Sequence, residues 1–327
     1  MSTPAFFMSD RNRARMRRLL RLTGSVLSIL AVAWIGMHFV DGGAADLLRR
    51  LPTEDRSRLV ACGIVGALAY ALSNVLLAGA WWRMLSRLSP EPPRALPTMA
   101  AYAVSQYGKY LPGNVAHYAL RHAWSRRSGT PHATLGLAAG LEAALLLLAA
   151  LCLIVMADGS GSGVVSFLQP RTAIALLIAA LVALGLALRW IRHRGGIGRL
   201  QLPPLPASAL LTALLCYLVF FVCSAAIQAG LAWMLRIDVT PYAHLLAATA
   251  GSWLAGFVII GAPAGIGVRE AAFVALMGST IGDSAALLLI GLFRAVTFVG
   301  DTAFMAAGAW LLRLDRSRMK TGMDHEN

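Results

Sequence analysis

Apolar positions run through this chain in long unbroken blocks, with neither the alternation of an exposed strand nor the single stripe of a surface helix. Blocks near Leu22–Val40, Leu59–Trp82, Ala133–Ala157, Thr172–Trp190, Ala207–Leu235 and Ser284–Leu312 match the roughly 20 helical residues needed to cross about 30 Å of hydrocarbon. They predict six full spans. Two further segments, Pro97–Leu111 and Tyr242–Ser279, are apolar but cut by Gly and Pro, and neither reads as one clean span. The pattern predicts an all-α, polytopic membrane helical bundle of about six full spans plus two re-entrant, broken helical hairpins. No stretch is left for a separate soluble unit. The expected organisation is a basic segment at 1–21, a membrane domain at 22–313 and a disordered tail at 314–327.

Composition agrees with that pattern: 58% of residues are hydrophobic, 13% are charged and the mean hydropathy is +0.67. A net charge of +14 would suggest nucleic acid in a soluble protein, but most of the 29 Lys and Arg fall in segments that one orientation puts on the same side. With both termini cytoplasmic, Arg11 to Arg21, Arg83 to Arg94, Lys109 to Arg127, Arg189 to Arg199 and Arg313 to Lys320 are all inside, as the positive-inside rule requires. That assignment makes the charge a topological signal, and no nucleic-acid partner is expected. It holds only if each broken segment enters and leaves on one face. The basic start followed by a long apolar run reads as an uncleaved first helix. Cys62, Cys152, Cys216 and Cys223 lie within spans as small apolar fillers. The seven His are scattered, so neither a metal site nor a cofactor is indicated.

The first broken segment reads AYAVSQYGKYLPGNVAHYALRHAW, Ala101–Trp124. Gly108, Pro112 and Gly113 predict a reversal, and broken backbone at membrane depth survives only where protein or water satisfies it. Lys109 and Tyr110 sit on this turn. Asn114, His117, Tyr118, Arg121 and Trp124 then recur at helical spacing on one polar face; an interfacial helix would carry the same face.

The second segment contains GAPAGIGVRE, Gly261–Glu270. Gly261, Pro263, Gly265 and Gly267 predict a tight turn before a half-helix whose N-terminal amides face an anion. Arg269 would add a bidentate donor; a Gly-rich turn between two tilted spans, with Arg269 and Glu270 snorkelling to an interface, would use the same residues. Glu270, about 100° further round the helix, is expected to pair with a cation on a neighbouring helix.

Glu142, Arg294 and Asp301 lie well inside spans, where a charge costs at least about 2.5–3.5 kcal/mol and needs a partner or a wet cavity. Arg294 and Asp301 share a face but stand about 10 Å apart along the axis, too far to pair directly. Lys109, Arg121, Arg269 and Arg294 outnumber Glu142, Glu270 and Asp301 by one, which suits an anionic ligand; structural ion pairs would use the same residues. The similar strings AGAWWRML (Ala78–Leu85) and AGLAWMLR (Ala229–Arg236) each end a span and precede a broken segment. They suggest an inverted repeat, a device by which transporters build two gates around one site; aromatic residues gathered at membrane ends would look alike by chance as well.

The motifs GKYLPGNV, Gly108–Val115, and GAPAGIGVRE resemble those of the transmembrane domain of lysylphosphatidylglycerol synthases and its stand-alone flippase-like relatives. The resemblance spans about Leu22 to Leu312. One departure is Ala264, where the family pattern has glycine, so a slightly different turn is expected. The other is the lack of a following aminoacyl-transferase domain, which implies lipid handling without aminoacylation.

The resemblance implies a lipid translocator of a bacterial inner membrane, acting on a lipid with an anionic or phosphate-bearing head group. Lys109, Tyr110, Asn114, His117, Arg121, Arg269 and Arg294 would contact the head group, with Glu142, Glu270 and Asp301 as counter-charges or coupling groups. A membrane enzyme and an accessory scaffold that recruits lipid-biosynthesis enzymes remain open as alternatives.

Overall fold

A computed structural model describes residues 52–111, 116–127, 129–158, 206–259 and 262–324. The expected spans at 22–40 and 172–190 lie outside the described residues, as does the basic segment 1–21. The described chain is helical and contains no strand. Its elements are α1 (Thr53–Leu88), α2 (Ala95–Gln106), a 3-10 turn (Tyr107–Tyr110), α3 (Ala116–Arg127) and α4 (His132–Asp158). After the undescribed stretch come α5 (Ala207–Met234), α6 (Tyr242–Val258), a second 3-10 turn (Pro263–Gly265), α7 (Val268–Ile281) and α8 (Asp283–Asp324).

Proline sets several of the starts. Pro52, Pro206 and Pro241 occupy the N-cap positions of α1, α5 and α6 with ψ between 141° and 155°, extended geometry that a helix can begin from but not pass through. Glu54 and Asp55 in the first turn of α1 and Arg87 in its last complement the helix dipole.

Five helical stretches among the described residues are long and apolar enough to cross a membrane: Thr53–Leu88, His132–Ala157, Ala207–Met234, Pro263–Ile281 and Asp283–Asp315. The first three and the last coincide with expected full spans. The fourth joins the second 3-10 turn to α7, which by itself has 14 residues, about 21 Å at the helical rise. α2, with 12 residues, is about 18 Å long on the same rise. Both broken segments are therefore short helices flanking a turn.

The side-chain distribution is that of a protein dissolved in lipid. Val60, Ile64, Val65, Leu68 and Leu72 of α1, and Leu211, Leu215, Val219 and Val222 of α5, are all exposed at helical spacing. Asn74, Gln106, Arg121, Glu142, Gln228 and Asp301 are buried. An apolar outside around a polar inside is what a bilayer demands of its guests.

Packing brings the two halves together. α1 and α5 pack on each other, α2 packs against α8, and α6 packs against α4. Each broken segment thus lies along the span that closes the other half, and the two 3-10 turns touch. Ion pairs tie the ends of the bundle, Arg236 to Asp55 at 3.1 Å and Arg94 to Asp315 at 2.9 Å.

The tail expected to be disordered from 314 continues α8 to Asp324. Asp315 anchors it to α2, and the Leu, Arg, Met and Lys that dominate 311–320 are strong helix formers.

Candidate functional site

The two broken segments line one hollow. The first supplies Tyr102 and Gln106 from α2, Lys109 from the turn and His117 and Arg121 from α3; the second supplies Trp253 and Phe257 from α6 and Arg269 from α7. Glu142 of α4 and Tyr70 and Asn74 of α1 complete its polar wall. The cavity measures about 70 Å³, space for a few waters at roughly 10–15 Å³ each. A smaller cavity of about 30 Å³, lined by Ser224, Thr249, Ser252, Arg294 and Thr297 among others, shares Arg269, Tyr70 and Trp253 with it. Arg269 stands in the wall common to both.

Three of the four expected cations are in ion pairs with the three expected counter-charges. Arg121 donates from Nη1 to Glu142 Oε2 at 2.5 Å, while Tyr102 donates its hydroxyl to Oε1 at 2.8 Å. The guanidinium lies over the rings of Tyr102 and Trp81, 3.7 and 4.6 Å from their centroids, a cation–π arrangement that helps hold a desolvated charge. Arg294 Nε donates to Glu270 Oε1 at 2.8 Å, and its Nη2 donates to the carbonyl of Ala264 at 3.2 Å. Lys109 Nζ and the Tyr110 hydroxyl both donate to Asp301 Oδ2, each at 2.7 Å. Arg294 and Asp301 thus meet separate partners, and Glu270 pairs across to α8.

Arg269 differs from the other three. It has no carboxylate partner among the described residues, and its buried Nε has no hydrogen-bond partner. Its guanidinium sits 5.9 Å from the Trp253 ring centroid. The excess of one cation counted in the sequence resides here.

The turn before α7 departs from expectation in two ways. The Gly267 N–H, expected to face an anion in the cavity, donates to Glu270 Oε2 at 2.7 Å; a carboxylate three residues on reaches back to an N-terminal amide, so the anion serving this helix end is the protein's own. Ala264 adopts φ 51° and ψ 18°, so it keeps the left-handed turn that glycine would make, beside Gly265 at φ 70° and Gly267 at φ 86°. A non-glycine residue in that region costs about 1–2 kcal/mol, of which glycine's freer unfolded chain returns about 0.4–1. Ala264→Gly is therefore expected to raise stability by about 0.5–1 kcal/mol, read as a higher melting temperature in detergent.

His117 is buried against Tyr118, ring centroids 4.0 Å apart, with Nδ1 unpartnered. Pro112, Gly113, Asn114 and Gly261 lie outside the described residues. Tyr70 and Asn74 were not legible as site residues, although a polar pair four apart inside the apolar run of α1 is a signal. His122 and His132, scattered in sequence, meet with Nε2 and Nδ1 at 2.7 Å, because the turn between α3 and α4 folds them together.

The described elements define a class: an all-helical, multi-pass membrane protein whose charged residues converge on an internal polar hollow. Comparison with protein-family models and with curated proteins gives no match to this chain.

Proposed function

We propose that the chain is a lipid translocator that moves a lipid with an anionic, phosphate-bearing head group between leaflets, built like the flippase-like membrane domains its motifs resemble. The observation that carries this reading is Arg269: a cation on the second broken segment with no carboxylate partner among the described residues, in the wall shared by two cavities. A guanidinium is the donor best shaped for a phosphate. The paired contacts of α2 with α8 and of α6 with α4 support the inverted repeat, with the six full spans and two hairpins completed by the segments at 22–40 and 172–190. Both termini would be cytoplasmic, in a bacterial inner membrane.

A hollow of about 70 Å³ is well below the roughly 300–1,000 Å³ of ordinary ligand sites. In this reading it is the occluded state, and the head group enters when the two broken segments part. Lys109, His117 and Arg121 line its path, and the lipid tails stay in the bilayer.

The test is Arg269→Met in reconstituted vesicles. Leaflet transfer of a fluorescent phosphatidylglycerol should fall about 10- to 100-fold, the worth of one or two hydrogen bonds to a charged group, while the melting temperature holds or rises because no buried partner is orphaned. Transfer at the wild-type rate would remove Arg269 from the mechanism and leave the reading without its main support.

A further inference from the structure

Of the three buried carboxylates among the described residues, two have both oxygens engaged. Glu142 accepts from Tyr102 on Oε1 and from Arg121 on Oε2; Glu270 accepts from Arg294 on Oε1 and from the Gly267 N–H on Oε2. Asp301 is different. Both its donors, Lys109 and Tyr110, crowd onto Oδ2, and Oδ1 is buried with no hydrogen-bond partner. A buried carboxylate oxygen without a donor is costly while charged, and one proton would relieve it.

The partner of Asp301 also differs from those of the other two. Lys109 is a point charge on a flexible stem, able to swing between anions where a packed arginine fork cannot. Its side chain is 17% exposed against 1% for Asp301, and it lines the hollow together with Arg269, whereas Asp301 is not among the lining residues. Lys109 and Tyr110 of the first turn contact this carboxylate and Tyr70 of α1 lies within its electrostatic reach; Arg269 of α7 and Arg294 of α8 act on Lys109 and Tyr70.

We propose that Asp301 is a proton-binding site coupled to the anion site, so that one head-group phosphate and one proton are taken up together. This rests on the lipid reading above. The phosphate draws Lys109 away from Asp301; the Lys109–Asp301 ion pair breaks, a Lys109–phosphate pair forms, and Oδ1 takes a proton from water on the side to which the hollow is open. Charge balances: the phosphate brings one negative charge, the proton one positive, and the loaded hollow carries no more net charge than the empty one. Release on the other face reverses each step.

Because binding of the two is linked, each must favour the other by the same factor. At subsaturating lipid, uptake of one proton with each head group should therefore make transfer rise as the pH is lowered, by at most about tenfold per pH unit. The experiment uses the full chain in phosphatidylcholine vesicles with a trace of acyl-labelled fluorescent phosphatidylglycerol and a pH-sensitive dye in the lumen. Between about pH 8 and pH 6 the expected result is acid-stimulated transfer accompanied by proton movement, and Asp301→Asn should transfer lipid with no pH slope.

Wild-type protein that transfers lipid at one rate across this range, or lipid flux without proton flux, would overturn the coupling and leave translocation standing. An Asp301→Asn protein that keeps the wild-type slope would place the proton elsewhere and equally overturn the assignment. If that variant does not fold, the dye measurement on wild-type protein decides. No transfer by wild-type protein at any pH would overturn the translocator reading and this inference with it.

Discussion

Arg121→Ala is expected to destabilise the folded bundle by about 3–5 kcal/mol, the cost of removing one partner from a buried ion pair. Glu142 is 1% exposed and receives only two donors, Arg121 and Tyr102. Without the guanidinium its carboxylate would keep only the Tyr102 hydroxyl, and the rings of Trp81 and Tyr102 would lose the cation they stack on. A domain's total stability is only about 5–15 kcal/mol, so a variant this compromised should express poorly. The ion pair itself need not be worth that much. Taking both charges out of water is expensive, and replacing such a pair by apolar residues of similar size is often neutral.

Arg121→Met combined with Glu142→Leu should therefore recover most of the loss. Denaturation in mixed detergent, with both single variants and the double, gives the coupling energy directly. A double variant as unstable as the sum of the singles would show that the pair is not the unit the geometry describes. The lipid-transfer assay separates the roles further: if Arg121 is a structural brace, the folded double variant should retain much of its transfer, whereas Arg269→Met should not.

That contrast marks what could be read from the chain alone. Helix length and breakage are local properties. The apolar runs located α1, α4, α5 and α8, although α1 extends six residues past its run at each end and α8 twelve past the end of its own, and the Gly and Pro of the two broken segments announced the short helices and the turns between them. Charge arithmetic also reached the correct excess of one cation, because it needs no coordinates. Which cation is in excess does need them. Tyr110 and Asp301 are 191 residues apart, and nothing in their local sequence says that the first turn packs against α8. Nor could spacing foresee that Glu270 would turn back to the Gly267 N–H, since an N-terminal amide is as ready to take a side chain of its own helix as a ligand. Ala264 is the reverse case: its side chain argued for an altered turn, and the packing of the segment forced the left-handed backbone on it regardless.

The second large effect is expected at Gly108, in the turn that carries Lys109. A methyl group placed there would lie 2.8 Å from the backbone nitrogen of His117 and 2.9 Å from its Cα. The Leu120 side chain, also at 2.9 Å, can rotate away, but the main chain of α3 cannot. Gly108→Ala must therefore push the turn and α3 apart. Overpacking of this kind costs about 1–3 kcal/mol, against a gain of about 0.4–1 kcal/mol from a stiffer unfolded chain.

Displacement matters more than the energy, because the turn sets where Lys109 meets Asp301 and α3 sets where His117 faces the hollow. A shift of about 1 Å in a positioning element can cost a hundredfold in rate, so transfer should suffer more than stability does. Gly140 of α4 supplies the control, since a methyl group there would meet nothing within 4 Å among the described residues. Gly140→Ala should gain up to about 1 kcal/mol of helix stability and leave transfer unchanged. Measured side by side, the two substitutions have opposite expected signs in melting temperature. If Gly108→Ala behaves like Gly140→Ala in both assays, the first broken segment does not close against α3 as tightly as these distances require, and the hollow that Lys109 and Arg269 share loses the wall that brings them together.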